Sequence, residues 1–251
     1  DRFGTTADGA IEEYQELLTK LQEDGKLGID GVAYDPYEWL EMEGHLLGIF
    51  KDGKLVDHVE SGDSVEILLP RTGFYIESGG QVSDTGSIRQ LQEPDSKDPW
   101  VIRVNEMRRP TSGMILHVGE VISGRPKTGD LALARVDIER RQDIMRNHTA
   151  THLLHAELRA VLGDHARQAG SLVAPDRLRF DFTHPQAVSE VELEQIEAGV
   201  NARILDNFNL NIRLKPLQQA MDEGATALFG EKYGETVRTI TIGGQDPFPY
   251  E

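Results

Sequence analysis

The feature that most narrows the fold of this sequence is a change of texture at two points. From about His45 to Asp137 the chain is a series of short β-type runs broken by turn signals: HLLGIFKDGKLVDHV, DSVEILLPRTGFYIESGGQVSDTGSI, WVIRVNEM, MILHVGEVI and DLALARVD. Several short strands at that spacing predict a small, mostly antiparallel β-barrel. Asp52-Gly53, between two apolar runs, is a hairpin signal, and QEPDSKDP reads as a turn between two later strands. On either side the period is helical. In TTADGAIEEYQELLTKLQEDG, residues Ile11, Tyr14, Leu17, Leu18 and Leu21 recur at helical intervals, with Thr5 or Thr6 as N-cap and Gly25 as stop. The stretch GKLGIDGVAYDPYEWLEMEG that follows has no sustained period and reads as a connecting segment packed on a neighbour.

After Asp137, IERRQDIMRNHTATHLLHAELRAVLG predicts a long helix ending at Gly163, and GSLVAPDRLRFDFTH a hairpin. SEVELEQIEAGVNARILDNF predicts a helix capped by Ser189, with Glu192 three residues on. LNIRLKPL reads as a strand, QQAMDEGATALF as a short helix and TVRTITIGG as a last strand. The expected class is α+β in three parts: a helical linker segment at 1–44, a β-barrel domain at 45–138 and an α+β domain at 139–251. No internal repeat is visible.

A chain of 251 residues can hold two domains with cores of their own. It has no cysteine, which excludes disulfides, a thiol nucleophile and any thiolate metal site built from this chain alone. A formal charge of −17 argues against a general affinity for nucleic acid, so any RNA contact must be local. Arg135, Arg140, Arg141 and Arg146 cross the barrel-to-helix junction, after Arg103, Arg108, Arg109, Arg125 and Lys127. Asp137, Glu139 and Asp143 are interspersed, so phosphate contacts and a solvated mixed face both stay open. There is no apolar run long enough to cross a bilayer and no secretory leader, which predicts a cytoplasmic protein without a membrane partner. The start at Asp1 without Met, and the stop at Glu251 after PFPYE, read as cut ends.

His148, His152 and His155 fall within about 60° of one another around their helix, apart from the stripe of Leu154, Leu158 and Val161. Histidines at i and i+4 can offer two nitrogens to one metal ion, but solvated helices share this spacing, and both readings stand. His117, His165 and His184 are further candidates by count only, and Thr149 stands where a zinc protease of the HExxH kind needs glutamate. Gly79 and Gly80 permit positive φ or a close backbone approach, and Gln81 can donate and accept; a glycine hairpin or bulge is the plainer alternative. RLRFDF alternates, placing Arg177, Arg179 and Asp181 on one face and Leu178, Phe180 and Phe182 on the other.

Four strings in this order resemble the editing region of the alanyl-tRNA synthetase family: GFYIESGGQVSDTG, RNHTATHLLHAEL, QAGSLVAPDRLRFDF and GATALFGEKYGETVR. They lie between about Val65 and the end of the chain. The resemblance implies a β-barrel followed by an editing domain of the threonyl/alanyl-tRNA synthetase second-additional-domain type. It implies zinc-dependent hydrolysis of the ester in tRNA(Ala) mischarged with serine or glycine, the partner being the tRNA(Ala) acceptor end. His148 and His152 are then two zinc ligands and His155 a supporting or structural residue. Gly79 and Gly80 shape the pocket wall, and Gln81 is catalytic, facing the terminal adenosine or the aminoacyl group. Thr72 and Ser78 are hydroxyl contacts, and Arg179 and Asp181 substrate-binding candidates. The other two zinc ligands belong to a CxxxH element expected just past Glu251, so this chain carries two of four, which implies weak zinc binding and impaired hydrolysis. ATP and magnesium serve only the aminoacylation core, which this segment lacks. A free-standing editing protein of the AlaX type and a non-catalytic tRNA-binding module are the alternatives, residues 1–44 favouring the synthetase over the former.

Overall fold

The computed structural model describes residues 7–91, 99–223, 225 and 234–243, and the chain divides into two compact units. The first comprises 1–78 and 82–141, the second 79–81 and 142–251. The QEPDSKDP turn (all but its last residue), the Thr5 or Thr6 cap and most of GATALFGEKYG lie outside the described residues.

The first unit opens with α1 (Ala7–Glu23), whose Tyr14, Leu17 and Leu21 are buried at the expected spacing. Gly25, at φ +68°, ends it: Lys26 N–H donates to Leu21 O and Gly25 N–H to Gln22 O, a Schellman stop. Then come β1 (Ala33–Tyr34), β2 (Glu41–His45), β3 (Gly48–Lys51), β4 (Lys54–Val56), β5 (Ser64–Leu68), β6 (Arg71–Thr72), β7 (Gly86–Gln90), β8 (Val101–Thr111), β9 (Met114–Ser123) and β10 (Leu131–Val136). The stretch read as connecting therefore contains β1, which pairs with β6 in parallel, and β2. Asp52 and Gly53, both at positive φ, make the β3–β4 hairpin turn.

The expected closed barrel does not form. Eight strands make one open antiparallel sheet in the order β2-β10-β7-β8-β9-β5-β3-β4. The reason lies at Leu46 and Leu47. Leu46 still bonds at the β10 end, donating to Asp130 O at 2.9 Å and accepting from Gly129 N–H at 2.8 Å. Leu47 N–H instead donates to Leu68 O, at β5, at 2.9 Å. Within two residues the chain passes from one end of the sheet almost to the other, so a covalent corner joins them where a barrel would need a ladder. The core of this unit holds Ile49, Phe50, Ile67, Leu68, Phe74, Ile88, Ile102 and Leu116. In β8 the inward residues shift from Ile102 and Val104 to Met107 because a bulge intervenes between Val104 and Glu106.

Helix α2 (Ile138–Leu162) begins in the first unit and continues in the second. Its start is capped by Asp137, whose Oδ1 accepts Arg140 N–H at 3.1 Å, and Gly163, at φ +107°, follows its last turn. The second unit adds β11 (Gln168–Val173), β12 (Leu178–Phe182), α3 (Glu190–Asp206), β13 (Leu210–Pro216), α4 (Leu217–Asp222) and β14 (Thr236–Ile242). β11–β12 and β13–β14 are antiparallel pairs. Leu158, Ala166 and Ile196 form its small buried core, with Leu154, Val161, Phe180 and Phe182 packed around them. Ser189 and Glu192 form the expected capping box on α3. No described helix is long and apolar enough to cross a membrane.

Candidate functional site

The three histidines of α2 separate into two environments. His148 and His152 are half-buried and stack, their ring centroids 4.7 Å apart and their planes at 29°. His155, one turn on, is buried and lies 5.0 Å from the ring of Phe180, beside the small apolar core. Phe180 faces inward because β12 alternates as expected, leaving Arg179 and Asp181 exposed with Arg179 Nε 3.2 Å from Asp181 Oδ2.

The GGQ stretch is brought to the same unit by its backbone. Gly79 and Gly80 have φ of +59° and +80°, a region open to glycine and strained for most other residues. Gly80 O accepts Val173 N–H at 2.8 Å, and Gln81 pairs with Val173 as a parallel bridge, so 79–81 runs along the free edge of β11. The approach is too close for a side chain: a Cβ on Gly80 would stand 2.4 Å from Ser171 Oγ and 2.5 Å from Ser171 O. Gln81, only 5% exposed, places its Oε1 2.6 Å from His148 Nδ1.

This contact has a chemical consequence. An amide oxygen only accepts, so this contact is a hydrogen bond when Nδ1 of His148 carries the proton, which in a neutral ring puts the lone pair on Nε2. That is the state in which an imidazole binds a metal. Two imidazoles on one tetrahedral ion with bonds near 2.0–2.1 Å hold their centroids about 5 Å apart, close to the spacing of His148 and His152. The centroid spacing of the pair is compatible with two ligands on one zinc ion. Among the described residues, no group of three His, Cys, Asp or Glu is gathered for a metal. His165 and His184, candidates by count, bond to each other, Nε2 to Nδ1 at 2.9 Å.

Thr72 and Ser78 belong to the first unit. Thr72 is fully buried, donates its hydroxyl to His117 Nε2 at 2.9 Å and accepts Phe74 N–H at 3.1 Å. His117 in turn donates Nδ1–H to Ile67 O at 3.2 Å, and burial pushes its imidazole down to about 4. Ser78 is exposed and lines a cavity of about 640 Å³ with Tyr34, Tyr37, Tyr75 and Arg109. The arginines are mostly balanced by acids: Arg103 by Glu120 at 2.8 Å, Arg108 by Glu66 at 2.5 Å, Arg135 by Glu41 at 2.6 Å and Arg146 by Asp143 at 2.5 Å. Arg141 is buried with Asp84, and Arg140 donates to Ser83 O at 2.9 Å. For these residues the mixed-face reading describes what is observed. Sequence reasoning missed the Thr72–His117 chain and the Gln81–His148 contact, each joining residues far apart in sequence with no local pattern to mark it.

Comparison with known proteins identifies the family. The family model for class II tRNA synthetases (A) matches residues 6–140. The alanine–tRNA ligase of Myxococcus xanthus is 44% identical over 243 residues, covering 96% of this chain and 26% of that protein. That of Chloroflexus aurantiacus is 48% identical over 216 residues, covering 86% and 23%, and that of Bacillus pumilus 40% identical over 253 residues, covering 97% and 28%. The chain spans about a quarter of the length of these relatives. As a segment of that extent, it belongs to the alanyl-tRNA synthetase family of class II tRNA synthetases.

Proposed function

We propose that this segment is the editing region of an alanine–tRNA ligase and hydrolyses the ester of Ser-tRNA(Ala) and Gly-tRNA(Ala). The observation that carries the reading is the pair His148 and His152, with Gln81 Oε1 2.6 Å from Nδ1 of His148. The family match starts at residue 6, ahead of β1, which supports a synthetase over a free-standing editing protein. Attachment of alanine, with its ATP and magnesium, is the work of a class II core outside this segment.

His148 and His152 would hold the zinc, together with a Cys and a His from the CxxxH element of the family pattern. Once bound, the metal supplies a positive centre that positions or polarises the ester or an attacking water. The chain's own residues do the rest. Gln81 fixes the orientation of His148, and the glycine pair lets the backbone approach β11 with no side chain between. Arg179 and Asp181, exposed on β12, are available to polar groups of the tRNA acceptor end.

The test is deacylation of Ser-tRNA(Ala) by this chain beside a version extended through the CxxxH element, with zinc quantified in both. The extended protein should bind zinc and hydrolyse the ester, and His148→Ala should abolish both. An extended protein that holds zinc and leaves the ester at the rate of buffer would overturn the editing reading in favour of a tRNA-positioning module.

A further inference from the structure

We infer that Gln81 is a positioning residue whose amide oxygen sets the tautomer of His148 before any metal arrives. The inference deepens the proposed zinc site and rests on that reading for its significance, but its geometry stands without the metal. Backbone pairing and burial together place the contact. The positive φ at Gly79 and Gly80 and the bond from Val173 N–H to Gly80 O clamp the backbone just before Gln81. The Gln81–Val173 bridge fixes which way the side chain leaves that backbone. Burial of Gln81 then requires a partner for its amide, and Oε1 finds His148 Nδ1 at 2.6 Å.

A histidine side chain in water carries its proton mainly on Nε2. On His148 the amide oxygen reverses that preference, holding the proton on Nδ1 and directing the lone pair to Nε2. Ligand histidines in metal sites are commonly oriented this way by a carbonyl or carboxylate, and losing that partner costs about 10–100-fold in metal affinity. Gln81 thus acts on the reaction through His148, a role distinct from direct contact with adenosine or the aminoacyl group.

The experiment is a long-range proton–nitrogen correlation spectrum of this chain, zinc-free and labelled with ¹⁵N-histidine, at a pH where imidazoles are neutral. The His148 signals are assigned by their loss in His148→Asn. Wild type should show Nδ1 protonated, as should Gln81→Glu, which keeps an oxygen acceptor; Gln81→Leu should revert to Nε2–H. A wild-type His148 protonated on Nε2 overturns the inference, and so does Nδ1–H retained in Gln81→Leu. The wild-type spectrum decides even if the leucine variant misfolds. In the extended protein, Gln81→Leu should weaken zinc binding about 10–100-fold while Gln81→Glu retains most of it; equal affinity in wild type and Gln81→Leu also overturns it. Should the tautomers follow this pattern while the extended wild type neither binds zinc nor hydrolyses the ester, the proposed function fails and the positioning contact remains.

Discussion

Arg141, in the first turns of α2, donates from Nε to both carboxylate oxygens of Asp84 at 2.9 Å, and Asp84 is fully buried. The same guanidinium donates to Pro36 O at 2.6 Å and Gly73 O at 2.9 Å, while Asp84 accepts Tyr75 N–H at 2.6 Å. One ion pair therefore ties the start of α2 to the loop between β6 and β7 and to the turn before β2. Removing either partner leaves the other charge buried and uncompensated, at about 3–5 kcal/mol. Arg141→Ala and Asp84→Ala should each lower the denaturant midpoint strongly, and the double variant should lose much less than the sum. Additive losses would show that the two groups are not coupled.

His117 makes the first unit acid-sensitive. Its imidazole is held down to about 4 by burial, against an ordinary value of 6.5. Between those values the unfolded chain binds a proton that the folded chain refuses, so stability is complete above about pH 6.5 and declines as pH falls towards 4, by at most about 3 kcal/mol. Urea unfolding followed from pH 7 to pH 4.5 measures the slope. His117→Leu should flatten that part of the profile whatever it does to absolute stability; an unchanged slope would refute the assignment.

Gly80 and Gly62 share positive φ, +80° and +91°, but differ in surroundings, since nothing stands within 4 Å of a Cβ on Gly62. Gly62→Ala should lose only the left-handed backbone penalty of about 1–2 kcal/mol. Gly80→Ala adds a collision with Ser171 and should destabilise clearly more, while also disturbing the His148 tautomer signal. Paired thermal melts of the two variants make the comparison, and equal losses would exclude close packing of 79–81 on β11.

At the start of α3, Ser189 Oγ and Glu192 N–H meet at 3.3 Å, and Glu192 Oε2 accepts Ser189 N–H at 2.8 Å. Ser189→Ala should cost about 0.5–2 kcal/mol. The Ser189 hydroxyl, followed by its backbone N–H, holds the Glu192 carboxyl below its ordinary range. The box therefore stabilises above the ordinary carboxylate range and fades as pH falls through it. Hydrogen exchange of the first α3 amides should accelerate in Ser189→Ala and, in wild type, relative to the intrinsic rate, on acidification; no change in either would argue that the box contributes nothing.

Much of this was legible wherever local spacing decides structure. The Tyr14, Leu17 and Leu21 stripe, the Asp52-Gly53 turn, the Ser189 box and the alternation of β12 each need only a few neighbouring residues. The parts that were not legible depend on residues distant in the chain. β1 is two residues long and exists because β6, near residue 71, lies beside it. The open sheet follows from a change of partner at Leu46 and Leu47, two identical residues with nothing in their identity to announce it. Of the site, the His148–His152 spacing could be read directly, whereas the Gln81 contact crosses 67 positions.

The corner at Leu46 and Leu47 also sets an order of assembly. β3, β4 and β5 can pair as soon as they are made, but β2 lies at the sheet edge and, among the described residues, its one ladder partner is β10, whose strand begins at Leu131. As the chain leaves the ribosome, β2 must wait, unpaired, until nearly the whole first unit has been synthesised. Folding of that unit is then limited by a late, long-range closure, and β2 stays without its partner while residues 46–130 are made.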